Sequence, residues 1–110
     1  MTEAVLEVSP AEVRATQAAG GPLRLIDVRE PWEHATAAIE ASELIPMRSI
    51  PENLSRLEGS AAPLVVYCHH GVRSLSVVDW LRAQGVSNCW SMAGGIDLWS
   101  REIDPHVPRY

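Results

Sequence analysis

The sequence predicts an α/β domain with an open, mainly parallel sheet and helices on both faces. Leu64–Tyr67 is a continuous apolar run, which is typical of a strand buried on both sides. It is followed by a short loop containing Gly71 and by an amphipathic segment from Arg73 to Gln84 that stops at Gly85. This order of strand, loop and helix recurs along the chain and predicts the fold class.

Composition limits the size, partners and location of the protein. A length of 110 residues, with 46% hydrophobic content, fits a single domain over residues 1–110 with a real core. The net charge of −5 disfavours nucleic acid and anionic membranes as partners, because both select basic faces. The N-terminus lacks a signal-peptide pattern, and no apolar run approaches the roughly 20 residues of a membrane span. We therefore expect a cytoplasmic protein, and two cysteines favour a reducing compartment.

The first part of the chain alternates short strands with helix starts. Val5–Val8 can form a strand, and Ser9 begins a capping-box pattern that predicts a helix from Pro10 to about Ala19. Leu23–Val28 is predicted to be the second strand, and Pro31 permits a new helix start. These elements are scaffold.

The middle of the chain is less regular. The alanine-rich segment Ala35–Ser42 favours helix over turn. Glu43–Met47 resembles a short strand ending in Ile-Pro, and a helix starting at Ser49 would bury its apolar residues on one face and end at Gly59.

The helix that follows the central loop is predicted to pack on the sheet through its apolar residues. Its buried side consists of Leu75, Val78 and Leu81, with Val77 and Trp80 flanking them. Val86–Met92 forms the last predicted strand, and Asp104–Tyr110, with two prolines, is expected to be irregular.

Cys68 stands at the predicted end of a buried strand and beside the start of a helix. The first N–H groups of a helix have no intrahelical partner and carry partial positive charge, so they stabilise a thiolate. Gly71 lets the N–H groups from His69 to Arg73 curl toward one point, and such a nest binds anions. The sequence therefore predicts a nucleophilic cysteine, although Cys68 as a small buried hydrophobe is the alternative.

The segment Cys68-His69-His70-Gly71-Val72-Arg73, followed by Ser74, resembles the active-site loop Cys-x-x-Gly-x-Arg of rhodanese-type sulfurtransferases. Matches elsewhere extend the resemblance over nearly the whole chain. They are Asp27-Val28-Arg29-Glu30 for the family's Asp-Val-Arg-Glu motif, Ile45-Pro46 for its Ile-Pro, and Gly94-Gly95 with Trp99 for its Gly-Gly-x-x-x-Trp segment. The chain departs from the family's Gly-His-Ile-Pro-Gly-Ala at Ala37–Ser42, where only the isoleucine is kept.

The resemblance implies a single-domain sulfurtransferase with the rhodanese topology. Cys68 would take a sulfane sulfur from a donor such as thiosulfate, form a persulfide, and pass the sulfur to cyanide, a thiol or a protein acceptor. No cofactor is needed. The loop N–H groups and Arg73 would bind the donor's anionic oxygens, or Arg73 only pairs with an acidic neighbour. The Ser74 hydroxyl would bond the sulfur or merely satisfy backbone.

Other matched residues are expected to support the site. Parallel strands end on one rim, so Asp27 could stand beside Cys68. Asp27 and Arg29 are interpreted as a structural ion pair that holds the loops around the site, rather than as catalytic groups. Glu33 matches an acidic position of the family and is interpreted as loop architecture. Gly94 and Gly95 allow close approach to the active loop, with Trp99 either in the core or at the rim.

Two further functions of single residues are weighed and disfavoured. His69 and His70 could hold a metal, but adjacent residues point in different directions and no further ligand has recognised zinc spacing, so no metal site is predicted. Cys89 could be a resolving thiol for Cys68, but a buried strand residue is the simpler interpretation.

Two other functions compete with sulfur transfer. Phosphatases and arsenate reductases also place a cysteine before an arginine and a helix, but related phosphatases of this fold carry one more residue in the loop. Four residues separate Cys68 from Arg73, which favours the smaller, sulfur-centred site. The other rival is a persulfide carrier or regulatory module without independent turnover.

Overall fold

Five strands form one sheet at the centre of the fold. The structure is a computed structural model that describes residues 1–110. The strands are β1 (Glu7–Val8), β2 (Arg24–Asp27), β3 (Glu43–Leu44), β4 (Leu64–Tyr67) and β5 (Cys89–Met92). They lie in the order β1-β5-β4-β2-β3, and every neighbouring pair is parallel. The predicted parallel sheet is therefore confirmed.

Five α-helices and two short 3-10 turns connect the strands. The helices are α1 (Pro10–Ala18), α2 (Pro31–Thr36), α3 (Leu54–Glu58), α4 (Val72–Ala83) and α5 (Gly95–Glu102). The 3-10 turns are Met47–Ser49 and Pro51–Asn53. None of the helices combines the length and the apolar character that a membrane-spanning helix requires.

Two hydrophobic cores lie on opposite faces of the sheet, and β4 contributes to both. Side chains alternate between the two faces of a strand. Leu64 and Val66 pack with apolar residues of α3 and α4, whereas Val65 and Tyr67 pack with those of α1 and α5. All four residues of β4 are buried, so its continuous apolar run reflects burial on both sides. Helices on both faces are thus confirmed.

Capping boxes fix the N-termini of two helices. At α1, the Glu12 N–H donates to Ser9 Oγ and the Ser9 N–H donates to the Glu12 carboxylate, both at 3.1 Å, as the sequence predicts. At α2, the Glu30 N–H donates to the Glu33 carboxylate at 2.8 Å. This second contact holds Glu33 at the carboxyl side of the sheet, next to the site.

The expectation of helix over Ala35–Ser42 is wrong beyond Thr36. Ala37 is extended, with φ −160° and ψ 135°, and Ala41 takes a left-handed φ of 65°. Tertiary contacts override the helix preference of alanine here. The Ala37 carbonyl accepts from Arg29 Nη2 at 2.6 Å, and the Ile39 N–H donates to Tyr67 Oη at 3.2 Å.

The helix expected from Ser49 begins later, at Leu54, and ends as predicted at Gly59. Two consecutive 3-10 turns precede it, with hydrogen bonds from Ile50 N to Met47 O and from Asn53 N to Ile50 O. Pro51 has no N–H to donate to the Met47 carbonyl, so an α-helical hydrogen bond cannot form there. In α4, Val77, Val78 and Leu81 lie in the core and Trp80 packs against it, as predicted, whereas Leu75 stays half-exposed.

Because all strands are parallel, their carboxyl ends lie on one rim. Asp27 is in register with Tyr67, the residue before Cys68. Sequence-distant loops after β2, β4 and β5 therefore meet at this rim, where ligands of open α/β sheets bind.

Candidate active site

Cys68 lies immediately after β4 and points its sulfur at the start of α4. The residue is 1% exposed. Its Sγ accepts hydrogen bonds from the Gly71 N–H at 3.1 Å and the Ser74 N–H at 3.4 Å. The sulfur thus occupies the positive end of a 12-residue helix, where a negative charge is stabilised.

Gly71 is the N-cap residue of α4, with a φ of 103° that is open to glycine and strained for other residues. A Cβ at this position would lie 3.2 Å from the Gly94 backbone nitrogen. The next residue, Val72, is 75% exposed. The loop therefore has a tightly packed inner side, formed around Gly71, and an outer side open to solvent.

The Ser74 hydroxyl connects Cys68 to the buried interior. The Cys68 thiol donates to Ser74 Oγ at 3.4 Å, and Ser74 Oγ donates to the Gly71 carbonyl at 3.2 Å. Ser74 Oγ and Ser91 Oγ are 2.7 Å apart, and both serines are fully buried. When Cys68 is a thiolate, the Ser74 hydroxyl can donate to Cys68 Sγ instead of to the Gly71 carbonyl, while the Ser91 hydroxyl donates to Ser74 Oγ. Both interpretations of Ser74, sulfur bonding and backbone satisfaction, therefore have a geometric basis.

Gly94 and Gly95 bring the loop after β5 against the active loop. The Ile96 N–H donates to the Cys68 carbonyl at 2.9 Å, and the Asp97 N–H donates to the His69 carbonyl at 3.1 Å. These two amides in the first turn of α5 thereby fix the backbone of Cys68 and His69, where the active loop begins. Trp99 is 3% exposed and belongs to the core, not to the rim.

Arg73 is bound by Glu33 through both of its terminal nitrogens. The distances are 2.8 Å from Nη1 to Oε2 and 2.9 Å from Nη2 to Oε1. Hydrogen bonding to Arg73 lowers the pKa of Glu33 to about 2, against the opposing effect of burial, and Glu33 in turn raises the pKa of Arg73. Arg73 retains 35% exposure of its side chain. The arginine is therefore held in place and still reaches solvent.

Asp27 and Arg29 form an ion pair whose side chains are 0% exposed. Arg29 Nε and Nη2 donate to the two Asp27 oxygens at 2.9 and 2.8 Å. Burial opposes the charge on Arg29, but hydrogen bonds to Asp27 and Tyr110 raise the pKa of Arg29 overall. His34 Nδ1 also lies 2.8 Å from Asp27 Oδ2. This arrangement is a structural pair beneath the rim.

Tyr110 lies over the rim and reaches both ion pairs. Its hydroxyl donates to Glu33 Oε1 at 2.9 Å and accepts from Arg29 Nη1 at 2.8 Å. Its ring stacks on the His69 ring, with centroids 4.0 Å apart and planes 7° apart. The segment expected to be irregular therefore contributes a wall of the site.

Comparisons with known proteins assign the chain to a family. The rhodanese-like domain family model matches residues 9–102. The chain is 31% identical to the thiosulfate sulfurtransferase GlpE of Pseudomonas aeruginosa, a match that covers 96% of this chain and 92% of GlpE. This chain belongs to the rhodanese-like domain family.

Two further comparisons extend the membership. A crystal structure of a rhodanese-like domain protein from Staphylococcus aureus is similar with a TM-score of 0.81 and 28% identity, over 96% of this chain and 99% of that one. The maize adenylyltransferase and sulfurtransferase MOCS3-2 is 35% identical over 83% of this chain, which spans 20% of that relative. The rhodanese-like domain seen here thus occurs both alone and within longer proteins.

In this rhodanese-like domain, the expectation that His69 and His70 point in different directions is wrong, because their rings are stacked with centroids 3.9 Å apart. Together with Asp97 they are the one group of three side chains whose ligand atoms lie within 4.8 Å of one another. Asp97 is already bound by Arg101 at 3.2 Å and Arg109 at 3.1 Å. The His69 ring is also stacked between His70 and Tyr110. The carboxylate is therefore engaged with cations of the protein itself.

The second cysteine of the rhodanese-like domain lies at the other end of the sheet. Cys89 pairs with Leu64 at the start of β4, four residues before Cys68. At ~3.3 Å per residue, this separation is about 13 Å, well beyond the reach of a disulfide. Cys89 is buried and free, and burial raises the pKa of its thiol. The alternative of Cys89 as a resolving thiol for Cys68 is thus excluded by position.

Two residues of this site have no signal in the sequence. Ser91 lies inside β5 among apolar neighbours and reads as an ordinary strand residue. Tyr110 contacts Glu33 and Arg29 across 77 and 81 residues of sequence. The pairing of β4 with β5 brings Ser91 to Ser74, and the packing of the segment after α5 brings Tyr110 to His69.

Proposed function

We propose that this rhodanese-like domain is a sulfurtransferase that moves a sulfane sulfur from a donor such as thiosulfate to a nucleophilic acceptor through a persulfide on Cys68. The observation that carries the proposal is the position of Cys68 Sγ, which accepts from Gly71 and Ser74 amides at the N-terminus of α4. A thiolate is the nucleophile in such chemistry, and these donors stabilise it.

In the first half-reaction, the Cys68 thiolate attacks the outer sulfur of thiosulfate. A sulfur–sulfur bond to Cys68 forms, the sulfur–sulfur bond of thiosulfate breaks, and its electron pair leaves with sulfite. The products are a persulfide anion on Cys68 and sulfite, so charge and atoms balance. The amides that stabilise the thiolate then also stabilise the persulfide anion.

In the second half-reaction, an acceptor attacks the outer sulfur of the persulfide. Cyanide takes it as thiocyanate, or a thiolate takes it as a new persulfide, and the electron pair of the broken bond returns to Cys68 as thiolate. Two steps with a covalent intermediate are a ping-pong mechanism. No cofactor takes part in either step.

Arg73 supplies positive charge to the donor from a fixed position. Glu33 holds its guanidinium by two hydrogen bonds, and the partly exposed remainder faces solvent beside the loop. An anionic donor is attracted there although the chain as a whole carries a net charge of −5. His69, His70, Val72 and the Ser74 hydroxyl complete the loop that encloses the donor.

A thiol of another protein is a further acceptor class. This chain spans only 20% of the maize adenylyltransferase and sulfurtransferase MOCS3-2, so the similar domain there is part of a longer protein. Residues 1–110 act as one unit in this proposal. The free Cys68 that each cycle requires fits the reducing cytoplasm expected from the sequence.

The rival functions predict different products. A persulfide carrier or regulatory module would load sulfur without turnover. A phosphatase or arsenate reductase would act on a tetrahedral oxyanion, and the loop of four residues between Cys68 and Arg73 is the short form of the cradle. We place the phosphatase below sulfur transfer because of this loop length, and the carrier because a module without turnover could dispense with the cysteine.

The deciding experiment measures sulfur loading and turnover separately. The purified protein is incubated with thiosulfate, and its intact mass is examined for one added sulfur atom. Cyanide is then added and thiocyanate is measured. Cys68→Ser should lose both loading and turnover, whereas the matched variant Cys89→Ser should keep both.

Three outcomes would contradict the proposal. Loading without thiocyanate would favour a dedicated carrier. Cys68-dependent hydrolysis of an aryl phosphate would favour a phosphatase. An alkylation rate of Cys68 no greater than that of a free thiol at neutral pH would remove the activated thiolate on which the mechanism rests.

A further inference from the structure

Tyr110 connects the two ion pairs of the rim through one hydroxyl group. That hydroxyl accepts from Arg29 Nη1 at 2.8 Å and donates to Glu33 Oε1 at 2.9 Å. Burial raises the pKa of Tyr110, so the phenol stays protonated and remains a donor at neutral pH. A chain of contacts therefore runs from the buried Asp27–Arg29 pair to Arg73 in the active loop.

The Glu33 carboxylate is oriented by donors on both of its oxygens. The Glu30 N–H binds Oε2 at 2.8 Å and the Tyr110 hydroxyl binds Oε1. These two donors fix the plane of the Glu33 carboxylate. Because Arg73 binds both carboxylate oxygens, its guanidinium is held in the same plane. Without the Tyr110 donor, the Glu33–Arg73 pair keeps its attraction but loses one of the two contacts that set its direction.

The ring of Tyr110 has a separate position from its hydroxyl. It lies flat on His69, the residue directly after Cys68, and Trp32 meets it edge-on at 6.0 Å. Trp32 is 63% exposed, so this aromatic group stands at the solvent side of the loop. The aromatic stack therefore lies next to the residue that follows the nucleophile in the chain.

The segment that carries Tyr110 is anchored independently of the site. Val107 packs in the core with α1 and α5, and its carbonyl accepts a hydrogen bond from the Ser100 hydroxyl. Arg109 Nε binds Asp97 at 3.1 Å. Changes confined to the Tyr110 side chain should therefore leave the segment in place.

We propose that Tyr110 is a positioning and specificity residue of this site. Its hydroxyl fixes Arg73 through Glu33 for anionic donors, and its ring limits the size of the acceptor that reaches Cys68. The inference deepens the proposed sulfurtransferase function and rests on it. It assigns the site to small anionic donors and to acceptors whose reactive thiol is carried on a slender side chain, in a small molecule or a protein, rather than to thiols that are bulky next to the sulfur.

The first test separates charge from access by alkylating Cys68 with reagents that match in size and differ in charge. The background is Cys89→Ser, so that Cys68 alone reports. In the parent, a fixed Arg73 should favour iodoacetate over iodoacetamide relative to a free thiol. Tyr110→Phe keeps the ring and removes the hydroxyl, so this preference should fall about fivefold, while the rate with neutral iodoacetamide stays within twofold.

The second test opens the wall. Tyr110→Ala removes the ring as well as the hydroxyl, so it should show the same loss of charge preference. In addition, labelling by a bulky neutral maleimide should rise at least about threefold relative to iodoacetamide, a change that Tyr110→Phe should not produce. The same split should appear in turnover, with a raised KM for thiosulfate in both variants and improved use of bulky thiols only in Tyr110→Ala.

His106→Ala is the matched control, because His106 lies in the same segment, its side chain is 96% exposed, and its contact is with Asp104 and not with either ion pair of the rim. It should leave the charge preference and the size preference unchanged. An equal charge preference in the parent and Tyr110→Phe would overturn the positioning role, and an unchanged size preference in Tyr110→Ala would overturn the wall. Efficient labelling of Cys68 without sulfur loading from thiosulfate would instead contradict the proposed function alone.

Discussion

Gly95 lies directly against the backbone of Cys68, because the amide after it donates to the Cys68 carbonyl. A Cβ built on Gly95 would stand 2.4 Å from the carbonyl oxygens of both Cys68 and His69, a distance that backbone atoms cannot accommodate without moving. Gly95 also has a φ of 59°. Because Gly95 has no side chain, the start of α5 packs directly on the backbone of Cys68 and His69, and this contact holds the beginning of the active loop in place.

Gly95→Ala should therefore disturb the loop as well as destabilise the fold. We expect a loss of about 3 kcal/mol or more in the free energy of unfolding, measured by urea denaturation, with slower alkylation of Cys68. Gly20→Ala is the matched control. Gly20 has a similar φ of 75° but nothing within 4 Å of the added Cβ, so it should cost only about 1 kcal/mol. Equal costs for the two variants would contradict the steric argument.

The serine pair behind the sulfur should contribute in a graded way to the reactivity of Cys68. Ser74→Ala removes a hydroxyl 3.4 Å from Sγ, so we expect alkylation to slow about tenfold. Ser91→Ala removes only the donor behind Ser74, and about threefold is expected. Ser76→Ala, on the exposed side of the same helix, should have no effect. A larger effect at Ser91 than at Ser74 would contradict this order.

Glu33 should make the fold sensitive to acid over a defined pH range. Arg73 lowers the pKa of Glu33 from 4.5 to about 2, so the native state favours the carboxylate. The stabilisation is fully present above about pH 4.5 and is lost as the pH falls toward 2, with a total of at most about 3 kcal/mol.

Glu33→Gln should abolish this part of the pH dependence. Urea denaturation between pH 7 and pH 3 should show the wild type losing its advantage over the variant as pH falls. The control is Glu30→Gln, in an exposed pair with Arg48, which should change stability by less than about 1 kcal/mol at every pH. A constant difference between wild type and Glu33→Gln would show that the ion pair does not carry the effect.

Ala41→Gly should stabilise the domain. Ala41 is exposed and takes a left-handed φ of 65°, which costs an alanine roughly 1 kcal/mol that a glycine does not pay. A gain of that size is expected in thermal or urea unfolding. Ala35 is solvent-exposed and lies within α2, so Ala35→Gly should instead lower the free energy of unfolding by about 1 kcal/mol. If both variants lose stability, the strain assigned to Ala41 is absent.

Local sequence patterns were sufficient for the elements that are fixed by their own residues. The buried β4 run, the Ser9 capping box, the end of α3 at Gly59 and the start of α4 beside Cys68 all lie where the sequence predicts them, within a residue or two. The parallel order follows from the alternation of strand and helix. The loop motif from Cys68 to Ser74 indicates the candidate site from the sequence alone.

Residues fixed by distant partners could not be predicted in this way. The turn at Ala37–Ser42 forms because Arg29 and Tyr67 bind its backbone, and the helix preference of alanine carries no information about them. Tyr110 is likewise defined by Arg29 and Glu33. Such contacts depend on which strand ends meet at the rim, and that is a property of the whole fold.

In the proposed mechanism, the distance between the two cysteines governs the fate of a sulfur held on Cys68. With Cys89 at the opposite end of the sheet and about 13 Å away, no internal thiol can expel that sulfur as hydrogen sulfide and close a disulfide. A domain that carries a sulfur on Cys68 can lose it only by reaction with another molecule. Its lifetime should therefore depend on the concentration of that molecule, and in the absence of one the sulfur stays in storage.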